Sequence, residues 1–309
     1  MRQKANTEQL KSAPTRLWRS LFGRSVFGPS VLGFSVFQKR VVAPVLTDPL
    51  HCDAPALRHA EIAALYSGQR VAGDFYEFLR VGPSRMLFVL LDIAGLRADT
   101  REVLISVQKA FRTLAPLFFA GEDFNETIAM IELCGAMNLT VMRAGPRSCP
   151  AFIGCYNEDL GTVCYANAGH PPALLRDHTG ITLLGATGLP LGLFSHSMQS
   201  AATCHLVCGS ALVAVSRGII EADRVNDGNF HAKNVDGENV DAESIDAEKQ
   251  VAELGLDGVR KSLQDATGQS AYDLCLTVLQ ATRQFTLKAP THNDLTTLAL
   301  VRCAALEAI

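Results

Sequence analysis

The sequence has no long apolar run. Its nearest candidate, "SVFGPSVLGFSVFQ" (25–38), is broken by Gly28, Pro29 and Gly33. A bilayer-spanning helix needs about 20 consecutive apolar residues, so no transmembrane segment is expected. The stretch also comes too late, and is too broken, for a secretory signal. There is no CxxC pair and no Cys/His cluster with zinc-finger spacing; among nine cysteines, Cys204 and Cys208 stand four apart. That speaks against a structural zinc site and a disulfide framework. Cysteines such as Cys155 and Cys164, in strand-like apolar runs, read as small buried hydrophobes in a reducing cytosol. Strong net charge is missing as well: 28 Lys/Arg against 31 Asp/Glu leave −3. The chain as a whole is therefore not expected to bind nucleic acid. Residues 178–216 contain no Asp, Glu, Lys or Arg, yet Gly, Pro190, Ser, Thr and three His punctuate them. Short strands and turns are expected there. The reading is a soluble, cytoplasmic protein.

What is present is enough for a sizeable core: 309 residues, 48% of them hydrophobic. The charge is uneven. Residues 1–40 carry eight Lys/Arg against Glu8 alone, and residues 223–257 carry ten Asp/Glu against Arg224, Lys233 and Lys249. Residues 1–45 have no sustained period and read as a basic, disordered N-terminal extension. Within it, "LWRSLFGRSVF" has the composition of a basic amphipathic piece for a membrane surface or a partner. Residues 46–305 are read as one domain with an acidic low-complexity insertion at 226–250. In that insertion a five-residue unit repeats three times over 235–249: Val-Asp-Gly-Glu-Asn, Val-Asp-Ala-Glu-Ser, Ile-Asp-Ala-Glu-Lys. The unit is too short for a solenoid and its spacing is not that of an EF-hand loop, so a solvated loop is expected.

From residue 60 the pattern becomes ordered. "EIAALYS" (61–67), "MLFVLLD" (86–92), "AFIGCYN" (151–157) and "GTVCYANAG" (161–169) read as strands, the last two around a turn at Glu158-Asp159. "PALLRD" and "GITLLG" form a further hairpin-like pair. "SALVAVS" (210–216) and "DLTTLALVR" (294–302) read as buried strands. Val103, Val107, Ala110, Phe111 and Leu114 recur at helical spacing over 99–119. A second helix is expected over 123–143, opened by Asp123 and Glu126 as a capping-box-like pair. Residues 256–265 and 271–285 also read as helices. This order argues for α+β, with largely antiparallel sheets and helices outside them.

Two aspartates stand in awkward places. Asp74 follows a Val-Ala-Gly step, and Asp92 ends the apolar run Met86–Leu91. A buried carboxylate needs a cation, a basic side chain or backbone amides to hold it. Here the motifs "VAGDFYEF", "LLDIAG", "YANAGHPPALL", "LPLGLF", "ALVAVSRGIIEA" and "NDLTTLAL" occur in an order and spacing that resembles the SpoIIE-like branch of the PPM metal-dependent protein serine/threonine phosphatases. The resemblance covers about residues 60–302. It implies an α-β-β-α sandwich of two stacked antiparallel sheets flanked by helices. It also implies two Mn²⁺ or Mg²⁺ ions, held by aspartates at strand ends, that activate water for attack on phosphoserine or phosphothreonine. The substrate it implies is a phosphorylated regulatory protein, such as an anti-sigma-factor antagonist-like protein.

Carried over residue by residue, the resemblance makes Asp74 and Asp92 catalytic metal ligands, with the backbone carbonyl of Ile93 beside them. Asn167, Gly169, His170 and Gly192 fall in structural turn motifs. His170 reads as a hydrogen-bonded structural histidine before Pro171 and Pro172, not as a general acid. The other half of the site departs from the family. Arg217 stands at one expected metal carboxylate and Asn293 at another, and Leu96 and Arg97 replace a His-Gly step. Asp74 and Asp92 give −2 and Arg217 gives +1, leaving −1 to face two divalent cations. Arginine cannot step aside by losing its proton. It could bridge Asp74 and Asp92 with its planar fork in place of a metal. Asp294 lies one residue from the ligand position, but strand alternation is expected to turn it to the other face. The expectation is a phosphatase with impaired metal binding; a catalytically inactive pseudophosphatase that binds a partner is the alternative.

Overall fold

The run Met86–Leu91 is apolar without alternation because both of its faces are covered. Met86, Phe88 and Leu90 enter one hydrophobic cluster, and Leu87, Val89 and Leu91 enter another. A central strand packed between a second sheet and a helical layer produces that pattern. The computed structural model describes residues 53–68, 73–121, 124–145, 148–196, 199–224, 252–267, 269–287 and 293–303. The basic extension and the acidic insertion lie outside the described residues.

One sheet has the strand order β2 (Gly73–Arg80), β3 (Arg85–Ile93), β4 (Ala151–Asn157), β5 (Thr162–Ala168), β8 (Ala202–His205). The other runs β1 (Ala60–Ser67), β12 (Leu295–Arg302), β9 (Ala211–Val215), β6 (Ala173–Asp177), β7 (Gly180–Leu184). All of these pairings are antiparallel. The two inner faces meet in a cluster that includes Phe88, Phe152, Tyr156, Leu212, Leu298 and Leu300. Helices α1 (Arg97–Phe118) and α2 (Glu126–Ala144) cover the first sheet through Leu104, Phe111, Met130 and Met137. Beyond the short α3 (Arg217–Ile220), helices α4 (Gly255–Gln264) and α5 (Ala271–Phe285) cover the second sheet through Val259, Leu274 and Val278. The architecture is the α-β-β-α sandwich. A short ribbon, β10 (Asp223–Arg224) with β11 (Ala252–Glu253), pairs on either side of residues 225–251.

Two details differ from the sequence reading. The N-cap of α2 is Asn125, whose side chain accepts from the Ile128 N–H at 3.1 Å. Glu126 does not close a capping box. Its carboxylate instead receives the Arg85 Nε at 2.7 Å and the Asn157 amide at 2.9 Å. The eight described cysteines are free thiols, five of them buried. Among the described residues, no helix is long and apolar enough to cross a membrane.

Candidate active site

Strand parity builds the site. The even-numbered residues of β2, β3 and β12 face the inter-sheet layer: Phe78, Phe88, Leu90, Leu298 and Leu300 all lie in it. Continuing each strand with the same parity reaches Asp74, Asp92 and Thr296 at one end of that layer. On β9, Leu212 and Ala214 lead in the same way to Ser216. Asp74 and Asp92 are direct cross-strand partners on β2 and β3. Both are buried, at 6% and 5% exposure. Thr296 Oγ1 donates to Asp74 Oδ2 at 2.7 Å. Burial, and then the charge of Asp92, push the Asp74 carboxyl up to about 8, against hydrogen bonding from Thr296 and Ser216. Gly73 is required here, because a Cβ at that position would run into the Ile93 carbonyl oxygen on the paired strand.

Arg217 is the first residue of α3. Its backbone N–H donates to Asp92 Oδ2 at 2.7 Å, and its Nη2 lies 3.3 Å from Asp92 Oδ1. Asp92 therefore satisfies an amide at the start of a helix that lacks a side-chain cap, a favourable place for a carboxylate. The sequence reading allowed Arg217 to bridge both aspartates. In the structure its hydrogen bonds go to Asp92, while Asp74 is held by Thr296. A cleft of about 370 Å³ opens here, lined among others by Asp74, Asp92, Ile93, Arg217, Glu221, Asn293 and Asp294. The expectation for Asp294 is corrected. It shares the parity of Thr296, is 1% exposed, packs against Gly68 and lies close enough to raise Asp74. Asn293, at the expected ligand position, is exposed at the rim.

Behind the cleft, the Asn167–Pro172 turn is clamped by its own first residue. Asn167 Oδ1 accepts from the His170 N–H at 2.9 Å, and its amide nitrogen reaches the Leu184 carbonyl at 3.3 Å. Gly169 has φ +66°, and a Cβ there would strike the Pro190 ring. The Gly192 N–H donates to Asn138 Oδ1 at 2.8 Å, tying this loop to α2. His170 is buried, with Nδ1 3.1 Å from the Pro171 carbonyl and Nε2 without a partner. Burial lowers it to about 4, although Asp92 opposes that shift, so it is a neutral ring at physiological pH.

The profile of the Stage II sporulation protein E (SpoIIE) family matches residues 82–302. The chain belongs to the SpoIIE family. Solved structures similar to this SpoIIE-family chain agree in fold. The PP2C phosphatase domain of Bacillus subtilis SpoIIE, with a fragment of its regulatory domain, aligns at 13% identity and TM-score 0.58, over 79% of this chain and 64% of that one. The RsbU and RsbW domains of Rv1364c from Mycobacterium tuberculosis align at 21% identity and TM-score 0.57, over 81% and 62%. This chain thus spans less than two thirds of either structure. RsbX, solved in complex with magnesium, aligns at 13% identity and TM-score 0.53, over 80% of this chain and 98% of that one. No curated protein sequence matches.

The residues present do not fit a two-metal centre. Both oxygens of Asp92 are engaged by Arg217. Asn293 brings no charge. Among the described residues, no group of three or more His, Cys, Asp or Glu is arranged to hold a metal ion. Sequence reading missed Ser216 and Thr296 as the residues that seat the two strand ends. Their signal was available: both continue the inward parity of their strands. It also missed Glu77, which is buried on β2 and held by Arg112 Nη2 at 2.8 Å and by Gln108 of α1.

Proposed function

We propose that this SpoIIE-family domain is a protein phosphatase directed at phosphoserine or phosphothreonine on a regulatory protein, with hydrolysis impaired at the Asp74–Asp92 cleft. An anti-sigma-factor antagonist-like protein is the partner class in keeping with the RsbU–RsbW neighbour. The observation that carries the impairment is the double contact of Arg217 with Asp92. Any Mn²⁺ or Mg²⁺ reaching the cleft would meet Asp74, Asp92 and the Ile93 carbonyl, but against a resident guanidinium. The chain's own part is to hold two buried carboxylates opposite one another, with Thr296 fixing the first and Arg217 the second. The closed Arg217 contact equally favours a second reading, an inactive pseudophosphatase that binds its partner without turnover.

Phosphate release by the full chain from a phosphoserine peptide and from p-nitrophenyl phosphate, with and without Mn²⁺, separates these. Weak manganese-dependent release that is lost in Asp92→Asn supports the impaired enzyme. No release, with retained binding of the peptide, supports the binding module. Robust release lost in Asp92→Asn refutes the impairment.

A further inference from the structure

The cleft carries a cation of its own. A hard divalent ion binds through carboxylate oxygens, and one residue uses both oxygens of Asp92. The backbone N–H of Arg217 takes one at 2.7 Å and its Nη2 stands 3.3 Å from the other. The two contacts differ in kind. The amide is seated from behind: the Ser216 N–H donates to the Thr296 carbonyl at 2.9 Å, and Ser216 Oγ accepts from the Thr296 N–H at 3.0 Å. That pair of bonds fixes the start of α3 against β12 whichever way the Arg217 side chain turns. The guanidinium contact is long, its side chain is 41% exposed, and its Nε is buried without a partner. It is therefore the releasable half of the contact. Its charge is not releasable, because a guanidinium keeps its proton.

We propose that Arg217 is an intramolecular counter-cation that competes with divalent metal for the Asp92 carboxylate, so that the resting cleft is closed to metal by this one side chain. The inference deepens the function proposed above and rests on it only in placing the metal at Asp92. The surrounding carboxylates Asp74, Glu221 and Asp294 line the same cleft. Removing the guanidinium therefore leaves these carboxyl groups without a resident cation and frees one oxygen of Asp92.

The test is Mn²⁺ titration of the full chain by calorimetry and thermal melting, with no phosphoester present. Arg217→Gln should bind Mn²⁺ at least ~10-fold more tightly than the wild type, and Arg217→Asp more tightly still. At about 100-fold excess of metal over Kd, the melting temperature of the variants should rise by roughly 5–10 °C and return with EDTA. Adding Asp92→Asn to Arg217→Asp should abolish the gain. If Arg217→Asp is unfolded without metal, recovery of its circular dichroism by Mn²⁺ counts as binding, and Arg217→Gln decides if it does not recover. Equal Mn²⁺ affinity in wild type and folded Arg217→Gln overturns the proposal. So does submillimolar binding by the wild type that Asp92→Asn removes. A failure here leaves phosphopeptide recognition untouched, and a failure to recognise phosphopeptide leaves the metal titration unaffected.

Discussion

Replacing Asp74 by asparagine should stabilise the protein, and the gain should depend on pH. Asp74 is 6% exposed and faces Asp92 directly across the β2–β3 pair. Burial and that neighbour raise its carboxyl from 3.8 to about 8. Below 3.8 the carboxyl is protonated in both folded and unfolded chains, and ionisation adds nothing to the difference between variant and wild type. Between 3.8 and 8 the unfolded chain ionises while the folded one holds its proton, so stability falls as pH rises. Above 8 the loss is complete. At ~1.4 kcal/mol per pH unit, this span sets a ceiling of roughly 5–6 kcal/mol. An asparagine keeps an oxygen for Thr296 Oγ1 but adds a buried amide that needs acceptors, an offset of about 1–2 kcal/mol. Asp74→Asn should therefore gain roughly 3–5 kcal/mol at pH 9 and be about 1 kcal/mol less stable than wild type near pH 4. Urea denaturation of wild type and variant in EDTA, followed by circular dichroism from pH 4.5 to 9, reads this directly. A variant less stable than wild type at pH 9, or one offset equally at every pH, would refute the reasoning.

Two further outcomes follow from other groups. Burial lowers His170 from 6.5 to about 4, so the stability of its neutral form is present above pH 6.5 and lost as pH falls towards 4. His170→Gln should flatten the stability profile between pH 4 and 6.5, although the variant is less stable at pH 7; an unchanged acid slope would count against a buried neutral ring. Gly73→Ala should cost roughly 1–3 kcal/mol, because the new methyl meets the Ile93 carbonyl, with Ile93 Cβ at 2.9 Å. A urea midpoint equal to that of wild type would show that β2 and β3 can part there without loss.

Much of the fold was legible because its signals are local. The helical spacing of Val103, Val107 and Phe111 gave α1, and the apolar run Met86–Leu91 gave β3. β2 was harder to see. Phe75 and Leu79 pack towards the helices and Tyr76 and Phe78 towards the other sheet, so burial on both faces erases the alternation that marks a half-exposed strand. The start of α2 was misplaced because Asp123 and Asn125 are both good cap residues, and geometry alone selects Asn125. The two aspartates could be singled out as awkward, but their direct opposition could not. It depends on the register set by the turn between Arg80 and Arg85. Glu77 looked like one acid among apolar residues, and its partners lie on α1, 31 and 35 positions away.

The altered half of the site shows where sequence logic needs a starting frame. Strand alternation was applied from Asn293, as though that residue defined the inward face. The frame is set instead by Thr296, Leu298 and Leu300, which point into the inter-sheet layer or continue its parity. Counted from them, Asp294 is inward and Asn293 outward, which is what their 1% exposure and rim position reflect. The cleft consequently holds a third carboxylate close to Asp74, more acid than the count of two aspartates against one arginine allowed. This makes the side chain of Arg217 matter more. Its amide would bind Asp92 whatever residue stood there, since Ser216 and Thr296 seat the backbone. Of the two altered ligand positions, Arg217 and Asn293, only Arg217 places a charge against the cleft, on a half-exposed, releasable side chain facing several carboxyl groups.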